Sequence, residues 1–356
     1  MSVEDGSGES EPRHYCQLNP TVPVLRRYFS GEDTRPDFRL SRASIQLLLQ
    51  TTGSHRHHGW GAELETLVLL FWLASGASYR VVARVFDMPL STVHRIVHRA
   101  MDDVMAVRCL FIHLPRTLEE VGALGEGFAH LAGHQVFSKA AGAIDGSHIR
   151  VQCPGAADGQ DYKNRKLFSS VVLQAVCDHT GRFLDIFVGC PGSVHDSRIL
   201  KNSPISVKRS YPPPGYFILA DGGYPCQTEP VALITPYKQP VRGVAEQRFN
   251  AHHSRGRIII ERAFGMMKSR FRCIFQDTLE VHVDSASKVI SVCAVLHNIC
   301  LRVGDIEQVE VHPPRDNVGG GADEDTPSGR EWREALTNAL NPLLQLPVDH
   351  DYILPG

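Results

Sequence analysis

The chain has 356 residues, 42% of them hydrophobic and 21% charged, enough to bury a sizeable core and to hold more than one folded unit. Its longest apolar run, LVLLFWLA at 67 to 74, falls far short of the roughly 20 residues of a spanning helix, and the opening MSVEDGSGESEP is acidic and polar, so neither membrane nor secretion is expected. The formal net charge of −2 hides an asymmetry: seven basic residues face the single acid Glu261 between Arg248 and Arg272, whereas 303 to 356 carries eleven acids against three arginines.

Residues 1–36 lack periodicity and read as a mobile segment, although PVLRRYF within them can form a short docked element. Ser41 can cap a helix carrying Ile45, Leu48 and Leu49, and ELETLVLLFWLASG predicts a second helix ending at Gly76. Residues 78 to 105 divide at DMPL into a short helix and a second helix capped by Ser91. That is helix-turn-helix spacing, with Val82, Ala83, Phe86, Val93, Ile96 and Val97 inward and Thr92, His94, Arg95, His98 and Arg99 outward. Such a helix can enter a major groove, yet an ordinary helical hairpin shows the same pattern. His94 and His98 stand at i and i+4, but HRIVH lacks the glutamate of a zinc-protease helix, and HRHH at 55 to 58 reads as a polar loop.

From 142 onward strand signals dominate. GAIDGSHIRVQC, SSVVLQAVCD and RFLDIFVGCPG predict three antiparallel strands, the last two joined by a tight hairpin at 178 to 182. SVHDSRILKNS then reads as a helix with His195 or Asp196 near its start, GYFILADGGYP as a strand leaving through a glycine turn, and VALITPYK as another short strand. A long helix over 244 to 272 and an amphipathic helix over 284 to 304 follow. The sum is an α/β mixed sheet flanked by helices, preceded by an all-α region. Nine cysteines, odd in number and without a C-x-x-C pair, argue for reduced thiols inside a cell and against a structural zinc site.

Three carboxylates carry the chemistry. Asp145 interrupts the first strand, Asp221 ends the run YFILA, and Glu261 flanks the apolar stripe of the long helix, where Gly265 leaves room for close approach to the sheet. Singly, each has an ordinary explanation: Asp145-Gly146 and Asp221-Gly222 as turns, and Glu261 as a surface partner of Arg257 or Arg262. Together, buried acids would repel one another unless a cation neutralised them, which a divalent Mg²⁺ or Mn²⁺ does. A pair of such ions can clamp the attacking and leaving oxygens of a phosphodiester, and the basic residues around Glu261 would hold the polyanion.

The blocks AIDGSHI, GSVHDSRIL, ILADGGYP, YK at 237 to 238 and FNAHHSRGRIIIERAFGMMKSRF resemble those of the PIF/Harbinger DDE-superfamily transposases, especially their domesticated, transposase-derived nucleases. The resemblance runs from about DFRLSR to LHNICL, with 76 residues from Asp145 to Asp221 and 40 from Asp221 to Glu261. It implies an RNase H-like fold, a catalytic and metal-binding triad of Asp145, Asp221 and Glu261, and supporting roles for His148, His195 and Asp196, the last alternatively a helix cap. ADGGYP stands where GDSGYP is more usual, and the acidic tail maps onto nothing in the family.

The expected organisation is a mobile segment 1–36, a helical region 37–120, a DDE nuclease domain 121–304 and an acidic, mostly irregular tail 305–356. The expected function is metal-dependent hydrolysis of DNA phosphodiester bonds, with Arg95, Arg99, Arg255, Arg257, Arg262 and Lys268 as DNA contacts. The resemblance adds a Myb-like partner that supplies sequence-specific binding and nuclear import. Two alternatives stand: a catalytically silent DNA-binding or scaffold protein, which the shielding tail favours, and an active transposase, which terminal inverted repeats flanking the gene would reveal. Nuclear localisation, with a cytoplasmic fraction, is the expectation; KNRK at 163 to 166 is a weak import signal that reads more simply as an exposed loop. Oligomers are compatible with all of these.

Overall fold

The computed structural model describes residues 19, 21–53, 60–153, 155, 159–241, 243–274, 283–307 and 324–341. The cluster HRHH, much of the N-terminal segment and most of the acidic tail therefore lie outside the described residues.

Up to residue 132 the chain is helical: α1 Pro23–Phe29, α2 Arg35–Phe38, α3 Arg42–Thr52, α4 Ala62–Ser75, α5 Tyr79–Phe86, α6 Leu90–Ala106, α7 Arg108–Phe111 and α8 Leu118–Ala132. α1 is PVLRRYF, docked through buried Val24, Leu25 and Tyr28. The Ser41 hydroxyl caps α3 by accepting the Ser44 amide at 3.2 Å, and Gly76 ends α4 in the left-handed region at φ +64°. α5 and α6 form the helix-turn-helix, with Val82, Ala83, Phe86, Val93, Ile96 and Val97 all buried. The second helix starts one residue before the expected cap: Leu90 is its first residue, Pro89 precedes it, and Ser91 makes no capping bond.

The sheet begins with β1 Ala140–Arg150, β2 Ser170–Cys177 and β3 Phe183–Pro191, an antiparallel meander closed at 178 to 182 by bonds between Asp178 and Arg182. After α9 Asp196–Asn202 and α10 Pro204–Lys208 the chain returns as β4 Phe217–Leu219 and β5 Leu233–Ile234. Both run parallel in the strand order β3-β2-β1-β4-β5, so β1 is central and pairs antiparallel on one side and parallel on the other. α11 Val244–Arg270 and α12 Val283–Arg302 cover one face, and α13 Pro327–Leu340 follows. This mixed sheet with flanking helices is the RNase H-like α/β architecture.

The amphipathic helix expected over 284 to 304 is α12. α12 is long and apolar enough to cross a membrane by length and composition, with a mean hydropathy of 1.2, but 72% of that window is buried inside the protein. Within the acidic tail, α13 is helical because Thr326 caps it and Trp332 seats edge-on against Phe217 of β4. One hydrophobic cluster runs from Val22 through α3 to α6, the sheet face, α11 and α12 to Leu340. The helical region and the sheet therefore share a core.

Candidate active site

The register of β1 and β4 brings the first two acids together. Ala143 pairs with Leu219 in a parallel ladder, so Asp145, two residues on in β1, lies next to Asp221, two residues past the end of β4, close enough for their charges to interact. Neighbouring strands lie about 4.8 Å apart, which spacing along the chain could not reveal. Gly223 donates its amide to Asp221 Oδ1 at 2.9 Å, and Gly146 donates to Asp145 Oδ1 at 2.7 Å. Burial, then the neighbouring Asp221 charge, push the Asp145 carboxyl well above the usual range; Asp196 adds to this and Arg257 opposes it.

α11 crosses this face closely because Gly256 faces the sheet, where an added Cβ would meet Leu219 Cδ1 at 2.9 Å. One residue on, Arg257 extends into the acids: Nη1 lies 3.4 Å from Asp145 Oδ2, and Nη2 donates to Glu261 Oε1 at 2.5 Å. Its side chain is only 10% exposed. Glu261 thus joins the site through a guanidinium, one helical turn away from its partner on α11.

Asp196 arrives from the opposite face of the sheet. It is the first residue of α9 and makes no capping bond; its Oδ1 lies 2.2 Å from where a Cβ on Gly146 would be. Gly146 therefore opens a slot beside Asp145, which explains the aspartate-glycine pair inside a strand. Gln174, the cross-strand partner of Gly146, donates to the Asp196 carbonyl at 3.1 Å and to the Tyr224 hydroxyl at 3.0 Å. Burial and Asp221 raise Asp196 to about 6. The fully buried phenol of Tyr224 is pushed up by burial and then by Asp196, Asp145 and Asp221.

The rim is cationic. His148 shares a hydrogen bond with Ser170 Oγ at 3.0 Å, and its carbonyl accepts from Lys268 Nζ at 3.0 Å. Partial burial and the charges of Lys268, Lys166 and Arg165 lower the His148 imidazole to about 4. His195 is exposed, with Nδ1 2.7 Å from Arg165 Nη2.

The basic residues expected to meet DNA divide into two groups. Arg95, Arg255 and Arg262 are exposed, and Lys268 sits at the rim. Arg99 instead pairs with Glu65, a carboxylate 4% exposed inside the helical region, and Arg257 pairs inward as described. Both face inward because a buried acid without a cation is costlier than forgoing a surface charge. No pattern in the sequence pointed to Gln174, and Tyr224 lay within the block ILADGGYP without a role of its own; the i, i+4 spacing of Arg257 and Glu261 was a signal, but it reads equally as a surface pair.

The donor chemistry of Asp145, Asp221 and Glu261 suits a hard divalent cation, whose charge the raised Asp145 carboxyl calls for. As the side chains stand, Arg257 provides that charge. Among the described residues, no three His, Cys, Asp or Glu side chains are gathered closely enough to hold an ion.

Residues 144–298 match the family described as DDE superfamily endonuclease. The stretch that holds all three acids is therefore similar to a DDE endonuclease domain. The chain is 28% identical over 311 residues to "Putative nuclease HARBI1" of Rattus norvegicus, covering 83% of this chain and 87% of that protein. The protein of the same name in Homo sapiens is 27% identical over 290 residues, 78% of this chain and 81% of the relative. "Protein ALP1-like" of Arabidopsis thaliana is 29% identical over 257 residues, 67% of this chain and 60% of the relative. No solved structure matches at comparable stringency. The matched domain is that of a hydrolase of the class that acts on phosphodiester bonds.

Proposed function

We propose that the protein is a metal-dependent DNA nuclease whose catalytic residues are Asp145, Asp221 and Glu261. The observation that carries this reading is the meeting of Asp145 on β1 with Asp221 just past the end of its parallel neighbour β4, with Glu261 brought to Asp145 by α11 through a cationic bridge. Asp145 and Asp221 would hold Mg²⁺ or Mn²⁺, joined by Glu261 once Arg257 gives up its place. A bound ion, or a pair, supplies the charge that activates water or a 3′-hydroxyl and steadies the departing oxygen. The chain's own residues do the rest. Exposed Arg255 and Arg262, with Lys268 at the rim, attract and orient the phosphate backbone that the acids alone would repel. Gln174 and Tyr224 fix Asp196 beside the pair, and His148 and His195 stand where the backbone enters.

Arg95 on α6 gives the helix-turn-helix its DNA contact. A Myb-like protein acting alongside, and nuclear localisation helped by the basic stretch 163 to 166, complete the proposal. A second reading, a silent DNA-binding scaffold, is favoured by one observation: Arg257 already neutralises Asp145 and Glu261. Plasmid nicking with Mg²⁺ or Mn²⁺ separates the two. The wild type is expected to nick, and Asp145→Asn and Glu261→Gln are expected to lose at least about a hundredfold in rate, the order of effect of removing a charge-stabilising group. Equal behaviour of all three proteins ends the nuclease reading.

A further inference from the structure

Between β1 and β2 the chain makes a small hairpin whose function the acid cluster does not explain. Lys163 and Ser169 form an isolated antiparallel bridge, and the tip between them reads Asn164-Arg165-Lys166-Leu167-Phe168. Its base is firmly held. Asn164 is 5% exposed; its Oδ1 accepts the Lys166 amide at 2.9 Å, and its Nδ2 donates to Ser170 Oγ at 3.1 Å. The Asn164 amide donates to the Phe168 carbonyl at 3.0 Å, and the Leu167 amide to the Asn164 carbonyl at 2.9 Å. Arg150 lies over the Phe168 ring at 4.4 Å.

The tip itself is turned out. Leu167 is 82% exposed and held at φ +63°, a region that suits glycine and strains a leucine. A residue that is both apolar and strained, at the end of a rigid loop, contributes nothing to folding there. Its surroundings are cationic: exposed Lys163, Arg165 and Lys166 share the hairpin. The hairpin also borders the acids. Ser170 Oγ receives Asn164 and also meets His148, three residues beyond Asp145, and Arg165 contacts His195, next to Asp196.

We propose that this hairpin is a DNA wedge: Lys163, Arg165 and Lys166 grip phosphates while Leu167 inserts between base steps next to the strand to be cut. Apolar side chains flanked by basic ones unstack and kink duplexes in this way, and the phosphate contacts offset the cost of opening the step. The occupant is duplex DNA, chosen by the charge of the loop and by its place beside the proposed phosphodiester site. The inference rests on the nuclease reading for its substrate, but its geometry is independent of cleavage.

Insertion between bases unwinds a duplex, so relaxing closed-circular plasmid with a topoisomerase in the presence of the full chain reads it without knowledge of a target sequence. The background is Asp145→Asn, which keeps the circle closed. With Leu167 intact, this protein is expected to change the linking number in proportion to the amount bound. Adding Leu167→Gly is expected to leave plasmid affinity within about threefold, to keep or raise the melting temperature, and to remove most of the linking-number change. Leu167→Met, with an apolar tip, is expected to restore it. Arg165→Ala with Lys166→Ala is expected to weaken binding at least about tenfold at low salt. Equal linking-number changes with and without Leu167→Gly, or none in either at full occupancy, overturn the wedge. If the wild type fails to nick but the change depends on Leu167, the wedge stands and the nuclease reading falls. If nicking succeeds and the change is independent of Leu167, the reverse holds; absence of any DNA binding removes both.

Discussion

Arg257 is the residue on which the chemistry of the site turns. It lies one helical turn before Glu261, reaches Asp145 as well, and is 10% exposed, so its removal leaves Asp145 buried beside Asp221 with no counter-charge. Breaking a buried pair by deleting one partner costs about 3 to 5 kcal/mol, far more than a surface pair is worth. Arg257→Ala is therefore expected to lose stability of that order in EDTA, measured by denaturant unfolding. Mn²⁺ is expected to return much of it and to raise the variant's melting temperature more than the wild type's, since the metal then takes over the cationic place. Equal metal-induced shifts in the two proteins would mean that arginine and ion do not share a place. The charge of Arg257 was visible in the sequence, but its direction was not. The same seven basic residues against one acid hold both solvent-facing contacts and this inward one, and only the close crossing of α11 at Gly256 decides which is which.

Elements were more legible than their contacts. The period-two runs of β1 to β3 and the long helix α11 stand within a few residues of where the sequence puts them, because each buries a face whose pattern sets its type. The adjacency of Asp145 and Asp221 was not legible as geometry, since it depends on parallel register between strands 76 residues apart. Nor was the role of LHNIC in α12: Asn298 receives the Phe183 amide and donates to the Phe183 and Phe111 carbonyls, so one buried amide completes the pairing of a strand start. The helix-turn-helix shows the same division. Arg95 and Arg99 are one turn apart on α6 and identical in type, yet Arg95 is exposed while Arg99 neutralises Glu65. Arg95→Ala is expected to weaken DNA binding and to reduce the salt slope by about 1, because one fewer phosphate is neutralised. Arg99→Ala is expected to lower the melting temperature and leave the salt slope of the folded protein unchanged. Binding measured at several salt concentrations checks both, and an unchanged slope for Arg95→Ala would make α6 a purely structural helix.

At the scale of the whole molecule, α6 and the acids are parts of one body. Lys288 of α12 pairs with Asp102 of α6 at 2.5 Å, and a single apolar cluster joins both halves. The strongest link is Arg270 at the end of α11, 2% exposed: it donates to the carbonyls of Arg39 and Asp305 and lies 3.4 Å from Asp305 Oδ2. Asp305 in turn accepts from the Ser41 amide at 2.7 Å and the Ser44 hydroxyl at 2.8 Å, tying the helix that carries Glu261 to the start of α3. Such a network makes separate unfolding of the two regions costly, because either one leaving would strand a buried charge. Tryptophans report on each side: Trp72 in α4 and Trp332 in α13. Single-tryptophan proteins retaining one or the other are expected to unfold in urea with coincident midpoints. Arg270→Ala is expected to lower both midpoints together, by about 3 to 5 kcal/mol of stability. Two midpoints well apart in the otherwise unaltered chain would make the helical region a separate domain on a hinge, and the fixed placement of Arg95 relative to Asp145 would go with it.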